Sequence, residues 1–140
     1  MVQRHRYEEA IGHLEETIDL CRQYGRRSTE ANALDKLGSA YSGLGQHERA
    51  VELHSAALAI ALDLGERGLE AWVRNGLGAS TLAAGRPAEA IEHHSAALAV
   101  ATEVGGRDQQ ARAHDGLARA HEALGELTLA RDGYAMALDL

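Results

Sequence analysis

Eight histidines, one cysteine and several adjacent carboxylates are the groups in this sequence with the greatest capacity for chemistry. A zinc site on one helix face needs two histidines about four residues apart, as in His-Glu-x-x-His. Here His47 and His54 stand seven apart, as do His114 and His121, while His93 and His94 are adjacent and diverge around a helix. No metal site is therefore expected. Glu8-Glu9 and Glu15-Glu16 read as solvated helix faces. Cys21 falls in register with Ala61 and Ala101, which makes it a small core residue and not a nucleophile. Neither a glycine-rich phosphate loop nor a nucleophile elbow is present. The chain reads as non-catalytic, with no cofactor.

The elements that carry these residues are set by a repeat. Gly25, Gly65 and Gly105 recur every 40 residues, as do Gly45, Gly85 and Gly125, and Ala50, Ala90 and Ala130. The segment His54-Ser55-Ala56-Ala57-Leu58-Ala59-Ile60-Ala61 returns almost unchanged as His94-Ser95-Ala96-Ala97-Leu98-Ala99-Val100-Ala101. A fixed period of this length implies a stacked solenoid, in which each unit buries its apolar face against its neighbours.

Between the glycines the periodicity is helical. Ala50, Leu53, His54, Ala57, Ile60, Ala61 and Leu64 share one face, and Ala90, His94, Ala97, Val100, Ala101 and Val104 repeat it. A second helix type carries Ala31, Leu34, Leu37, Gly38 and Tyr41, then Ala71, Leu77 and Gly78, then Ala111, Leu117 and Ala118. Glycine suits the position just past a helix, and Pro87 suits a first helical turn. Seven helices are predicted, at about 4–24, 27–44, 47–64, 67–84, 87–104, 107–124 and 127–140.

Composition narrows the functional class. The hydrophobic fraction is 45%, mostly alanine and leucine, with aromatics at only 4%, which suits closely packed helices. A net charge of −7 without a basic run argues against direct nucleic-acid binding. No apolar run reaches membrane-spanning length. The single cysteine fits a reducing, cytoplasmic setting.

The residues at fixed register resemble the tetratricopeptide repeat, whose signature is a large residue, Leu-Gly and an aromatic on the first helix, then Ala, an aromatic and Ala on the second. The first full unit supplies Leu34, Leu37-Gly38, Tyr41, Ala50, His54 and Ala57. The second supplies Arg74, Leu77-Gly78, Thr81, Ala90, His94 and Ala97, and the third His114, Leu117-Ala118, His121, Ala130, Tyr134 and Ala137. The resemblance implies an all-α solenoid, a right-handed superhelix of helix-turn-helix repeats. Its parts would be a lone second helix at 1–25 and repeats at 26–65, 66–105 and 106–140. The 40-residue period is similar to that of a long-helix subclass found in cell-polarity adaptor proteins and in the C-terminal arrays of actinobacterial transcriptional regulators.

In that family the first helix of each unit lines a concave groove that binds an extended peptide or a partner helix. By position, the groove here would hold Asn32, Asp35, Ser39 and Ser42, then Trp72, Asn75, Ala79 and Leu82, then Arg112, Asp115, Arg119 and Glu122. Aromatic and arginine side chains are the usual anchors of an interface, which points to Trp72, Arg112 and Arg119. Trp72 could equally pack between neighbouring units. Asn75 is expected to hydrogen-bond a peptide backbone. With Asp35 and Asp115 in the groove, the favoured ligand is a mixed-charge or basic segment of a protein partner. His54 and His94 take aromatic positions of the second helix, so a partly buried, hydrogen-bonded imidazole is expected there, with stability sensitive to pH.

The phase of the repeat implies a fragment of a longer array within a regulatory protein, or a chain that covers its helical ends by forming a homo-oligomer. Met136, Leu138 and Leu140 are the apolar residues available for such an end contact.

Overall fold

A computed structural model describes residues 2–140, which form seven helices and no strand. They are α1 (Val2–Tyr24), α2 (Arg27–Gly43), α3 (His47–Leu64), α4 (Arg67–Ala83), α5 (Pro87–Val104), α6 (Arg107–Ala123) and α7 (Leu127–Leu138). Each expected helix is present, with ends within two residues of the expected ones. Among the described residues, no helix is long and apolar enough to cross a membrane.

One kind of turn ends the helices. After α3 and α5 the chain enters the left-handed region at Gly65 (φ 68°) and Gly105 (φ 70°), where a side chain would strain the backbone. The next amide then reaches back into the helix, Glu66 N to Ala61 O at 3.2 Å and Gly106 N to Ala101 O at 2.9 Å. The same turn follows α2, α4 and α6 at Gly45, Gly85 and Gly125, closed by Gln46 N to Tyr41 O, Arg86 N to Thr81 O and Glu126 N to His121 O. Pro87 opens α5, where its missing N–H costs no hydrogen bond.

Each helix packs on the next, and α2, α4 and α6 also touch in turn, so the first helices of the units stand side by side. Alanine permits that approach: Ala31, Ala50, Ala57, Ala71, Ala90, Ala97 and Ala101 are buried where helices meet. Ile18, Leu34, Leu37, Leu53, Ile60 and Val73 fill the space between them. Cys21 is buried in the same row as Ala61 and Ala101. Leu64 and Val104 do not join the buried face as their spacing suggests. They end α3 and α5, where the glycine turn leads the chain away, and both are exposed. The core thins toward α7, whose single buried residue is Ala130.

Ion pairs repeat with the same period. Arg27 at the start of α2 pairs with Asp63 at the end of α3, and Arg67 at the start of α4 pairs with Glu103 at the end of α5. Glu70 is the one buried carboxylate among these pairs, held by Arg67 at 2.8 Å and Arg74 at 2.8 Å.

Candidate functional site

The side-by-side helices α2, α4 and α6 bring equivalent residues of successive units together. Asp35 of α2 is buried, and both carboxylate oxygens are taken. Oδ1 accepts from Nδ1 of His54 at 2.7 Å, and Oδ2 accepts from Nε1 of Trp72 at 2.5 Å. One unit on, Asn75 occupies the position of Asp35. Its amide donates to the backbone and side-chain oxygens of Gln109, at 3.1 and 3.0 Å. That fixes Oδ1 to accept from Nδ1 of His94 at 2.8 Å. In both pairs Nε2 of the imidazole is buried and has no hydrogen-bond partner.

Glycines make room for these rings. His54 lies between Gly38 and Gly76, and His94 between Gly78 and Gly116. A Cβ at Gly38 would sit 2.9 Å from His54 Nε2, and one at Gly78 would sit 2.5 Å from His94 Nε2. The Asp35–His54 pair has the composition of a catalytic dyad, but the free nitrogen faces backbone and not a substrate space. Burial, reinforced by the nearby Arg112 guanidinium, pushes the His94 pKa down to about 4, so the ring is neutral at neutral pH.

Trp72 and Arg112 stand at the same register in consecutive units. The Arg112 guanidinium lies 5.0 Å from the centre of the indole and donates to Trp72 O at 3.3 Å, a cation–π stack. Trp72 is thus clasped between Asp35 on one side and Arg112 on the other, yet remains 40% exposed. Beside this stack a cavity of about 350 Å³ opens between α4 and α6. Leu82 and Ala79 give it an apolar wall, His94 and Asn75 lie at its inner side, and Arg112 and Arg119 border it. Arg119 is paired with Asp115 at 2.8 Å.

Eight of the twelve groove residues expected from the register separate into three groups. Trp72, Arg112, Asp115 and Arg119 gather at or beside the cavity. Asn32 and Ser39 face a different groove, between α1 and α2. Asp35 and Asn75 are not open groove residues, because the next helix uses their hydrogen-bonding capacity. The peptide-backbone contact expected of Asn75 has competitors within the fold: its amide N–H groups donate to Gln109 and its oxygen accepts from His94. With Asp35 sequestered and Asp115 paired to Arg119, the charge that favoured a basic ligand is reduced. His94 as part of the cavity, and Lys36 in the α1–α2 groove, were not foreseen. Lys36 had a signal in the sequence, since it takes the register position of Gly76 and Gly116.

The sequence profile described as tetratricopeptide repeat matches residues 2–63 and 69–140. The chain belongs to the tetratricopeptide-repeat family. Repeats of this family generally mediate protein–protein interaction, and their scaffold is typically non-catalytic. The tetratricopeptide-repeat domain of Arabidopsis FLU is similar at 26% identity and a TM-score of 0.75, covering 81% of this chain and 95% of that one. BtubC from P. vanneervenii shares the fold at 22% identity and a TM-score of 0.80, over 95% of this chain and 56% of its own. So do the repeats of a putative kinesin light chain from Podospora anserina, at 22% identity and a TM-score of 0.74, over 96% and 66%. The chain thus spans just over half of BtubC and about two thirds of the kinesin light-chain structure. Among curated protein sequences there is no significant match.

Proposed function

We propose that this tetratricopeptide array is a non-catalytic scaffold of a cytoplasmic regulatory protein that grips an extended segment of a partner on the face formed by α2, α4 and α6. The observation that carries this reading is the cavity between α4 and α6, apolar along Leu82 and Ala79 and bordered by the Trp72–Arg112 stack. Such a site accepts one apolar side chain while Arg112 meets a neighbouring carboxylate. Arg119 contributes less charge, because Asp115 already neutralises it. The preferred ligand is therefore an acidic or mixed-charge segment. The pre-stacked guanidinium loses little freedom on binding, which favours affinity.

The test is affinity capture from lysate of the source cells, comparing the native chain with Leu82→Arg and with Arg112→Ala/Arg119→Glu. Each variant must first show an unchanged helical melt. A partner held by the native chain and lost by both variants supports the groove. Equal retention by all three proteins transfers binding to another surface.

A second reading, self-association through the helical ends, is favoured by one observation: Leu138 is 86% exposed, with Met136 beside it on α7 also exposed. Light scattering tests it, since a strict monomer at high concentration removes this reading.

A further inference from the structure

The cavity between α4 and α6 ends on a side chain that belongs to neither helix. Of the residues that line it, His94 alone comes from α5, the helix packed against both. Its ring reaches the cavity through the notch between Gly78 and Gly116. A Cβ at either glycine would crowd both Cε1 and Nε2, so the two faces of the ring are covered and its outer edge points between the helices. Nε2, on that edge, is buried and has no hydrogen-bond partner among the described residues.

The proton on this ring is placed by its neighbours. Asn75 donates to Gln109 and accepts from Nδ1 of His94 at 2.8 Å, so Nδ1 carries the hydrogen and Nε2 a bare lone pair. Burial keeps the ring neutral at neutral pH. The cavity therefore ends on an acceptor, which a hydrogen-bond donor satisfies and a carboxylate or carbonyl oxygen does not. Its wall is apolar along Ala79 and Leu82, where the first unit has Ser39 and Ser42. Arg112 and Arg119 on the border repel an ammonium, which disfavours lysine as the donor. A volume of about 350 Å³ holds an aromatic ring, whereas serine or threonine would fill only a fraction of it. Tyrosine has the matching form, an apolar ring with the hydroxyl at its far tip. The N–H of tryptophan lies on the flank of its rings instead.

We propose that the α4–α6 cavity selects a tyrosine of the bound segment, its ring against Leu82 and Ala79 and its hydroxyl donating to Nε2 of His94. Arg112 donates to Trp72 O and presents its remaining N–H groups at the border, where an acidic residue beside the tyrosine meets them. Phenylalanine would cover the lone pair without pairing it, and so is the analogue the site rejects. This inference rests on the scaffold reading above and names the side chain that its cavity takes.

The test titrates two capped peptides, Glu-Glu-Tyr-Glu-Glu and its phenylalanine counterpart, into the ¹⁵N-labelled chain at neutral pH. Amide chemical shifts locate the contact and tolerate weak binding, and the side-chain nitrogen resonances of His94 report its tautomer and any hydrogen bond to Nε2. The native protein is read directly, so no substitution in the buried cluster is needed. In the free chain the hydrogen is expected on Nδ1. The tyrosine peptide is expected to shift the amides of Ala79, Leu82, Arg112 and Gly116 and to move the Nε2 resonance in the direction of a nitrogen that accepts a hydrogen bond. The phenylalanine peptide is expected to leave Nε2 unmoved and to bind at least about tenfold more weakly, the worth of one hydrogen bond. Leu82→Arg, with an unchanged helical melt, is expected to abolish both titrations. Equal affinity of the two peptides at the cavity overturns the choice of tyrosine and leaves the scaffold reading in place. A hydrogen on Nε2 in the free chain overturns it as well. So do cavity amides that stay unmoved by the tyrosine peptide, an outcome that the lysate capture described above separates from failure of the scaffold reading itself.

Discussion

Gly116 lies flat against the imidazole of His94, so close that a Cβ on Gly116 would overlap Cε1, Nε2 and Nδ1 of the ring at once. The contact joins α6 to α5 and fixes how closely the third unit approaches the second. Gly116→Ala is therefore expected to destabilise the fold by roughly 1–3 kcal/mol, the range for overpacking a tight interior. Gly12 is the internal control, since it also lies within a helix but a Cβ there meets nothing within 4 Å. Gly12→Ala is expected to stabilise by about 0.5–1 kcal/mol, as removing an interior helical glycine generally does. Thermal melts by circular dichroism read both changes, and equal effects of one sign would sink the account.

The depressed pKa of His94 sets a pH dependence. In the unfolded chain the ring titrates at its ordinary value near 6.5, whereas in the fold it titrates near 4. Between these values the unfolded state binds the extra proton, so stability is complete above about pH 6.5 and falls as pH drops toward 4. The full loss is on the order of 3 kcal/mol for a displacement of this size. The groups facing the ring are Asn75, His93, Arg112 and Asp115, of which only Asp115 favours its protonation. Denaturant melts at pH 7.5 and 5.5 are expected to show a smaller difference for His94→Leu than for the native chain. An identical difference would remove His94 as its source.

Asp35 is expected to be a costly residue to remove. Truncation to alanine leaves the His54 and Trp72 donors without their acceptor, a loss of roughly 2–5 kcal/mol at this depth. Asp35→Asn keeps one acceptor oxygen and reproduces the Asn75–His94 arrangement of the next unit. A smaller loss is expected, together with a shift in the emission of Trp72, the only tryptophan. If the emission were unmoved in both variants, the Asp35–Trp72 hydrogen bond would not exist in solution.

The register itself is tested at Leu77, buried in the Leu-Gly pair of the second unit. Leu77→Ala is expected to cost roughly 2–5 kcal/mol through the cavity it leaves. A change below about 0.5 kcal/mol, typical of exposed sites, would mean that the helix faces are misassigned.

The fold was legible because two features repeat without noise. The glycines mark where helices end, and alanine at fixed steps marks where they touch. The candidate site was legible only in part. Spacing placed Asp35 and Asn75 on α2 and α4, as residues of the groove. Whether a polar residue there is offered to a ligand or used by the neighbour depends on the partner opposite. Those partners lie far along the chain: Trp72 stands 37 residues from Asp35, and Gln109 stands 34 from Asn75. One sign was available within the sequence. Asp35 precedes His54 by 19 residues and Asn75 precedes His94 by the same interval, an acceptor and an imidazole kept in step while surrounding residues change. Trp72 required the structure, because its two roles, packing between units and lining the groove, are not exclusive. Its indole donates to Asp35 of the preceding unit and stacks on Arg112 of the next while remaining 40% exposed.

The restriction of helix contacts to the next and next-but-one helix has a consequence for how the chain is made. Among the described residues, the hydrogen bond of longest sequence separation is that from Arg112 to Trp72, spanning 40 residues. Nothing near residue 140 must be synthesised before the segment ending near residue 65 can close. Low contact order of this kind favours rapid folding, and here it also favours an order, with each hairpin of helices setting as it leaves the ribosome and templating the one behind it.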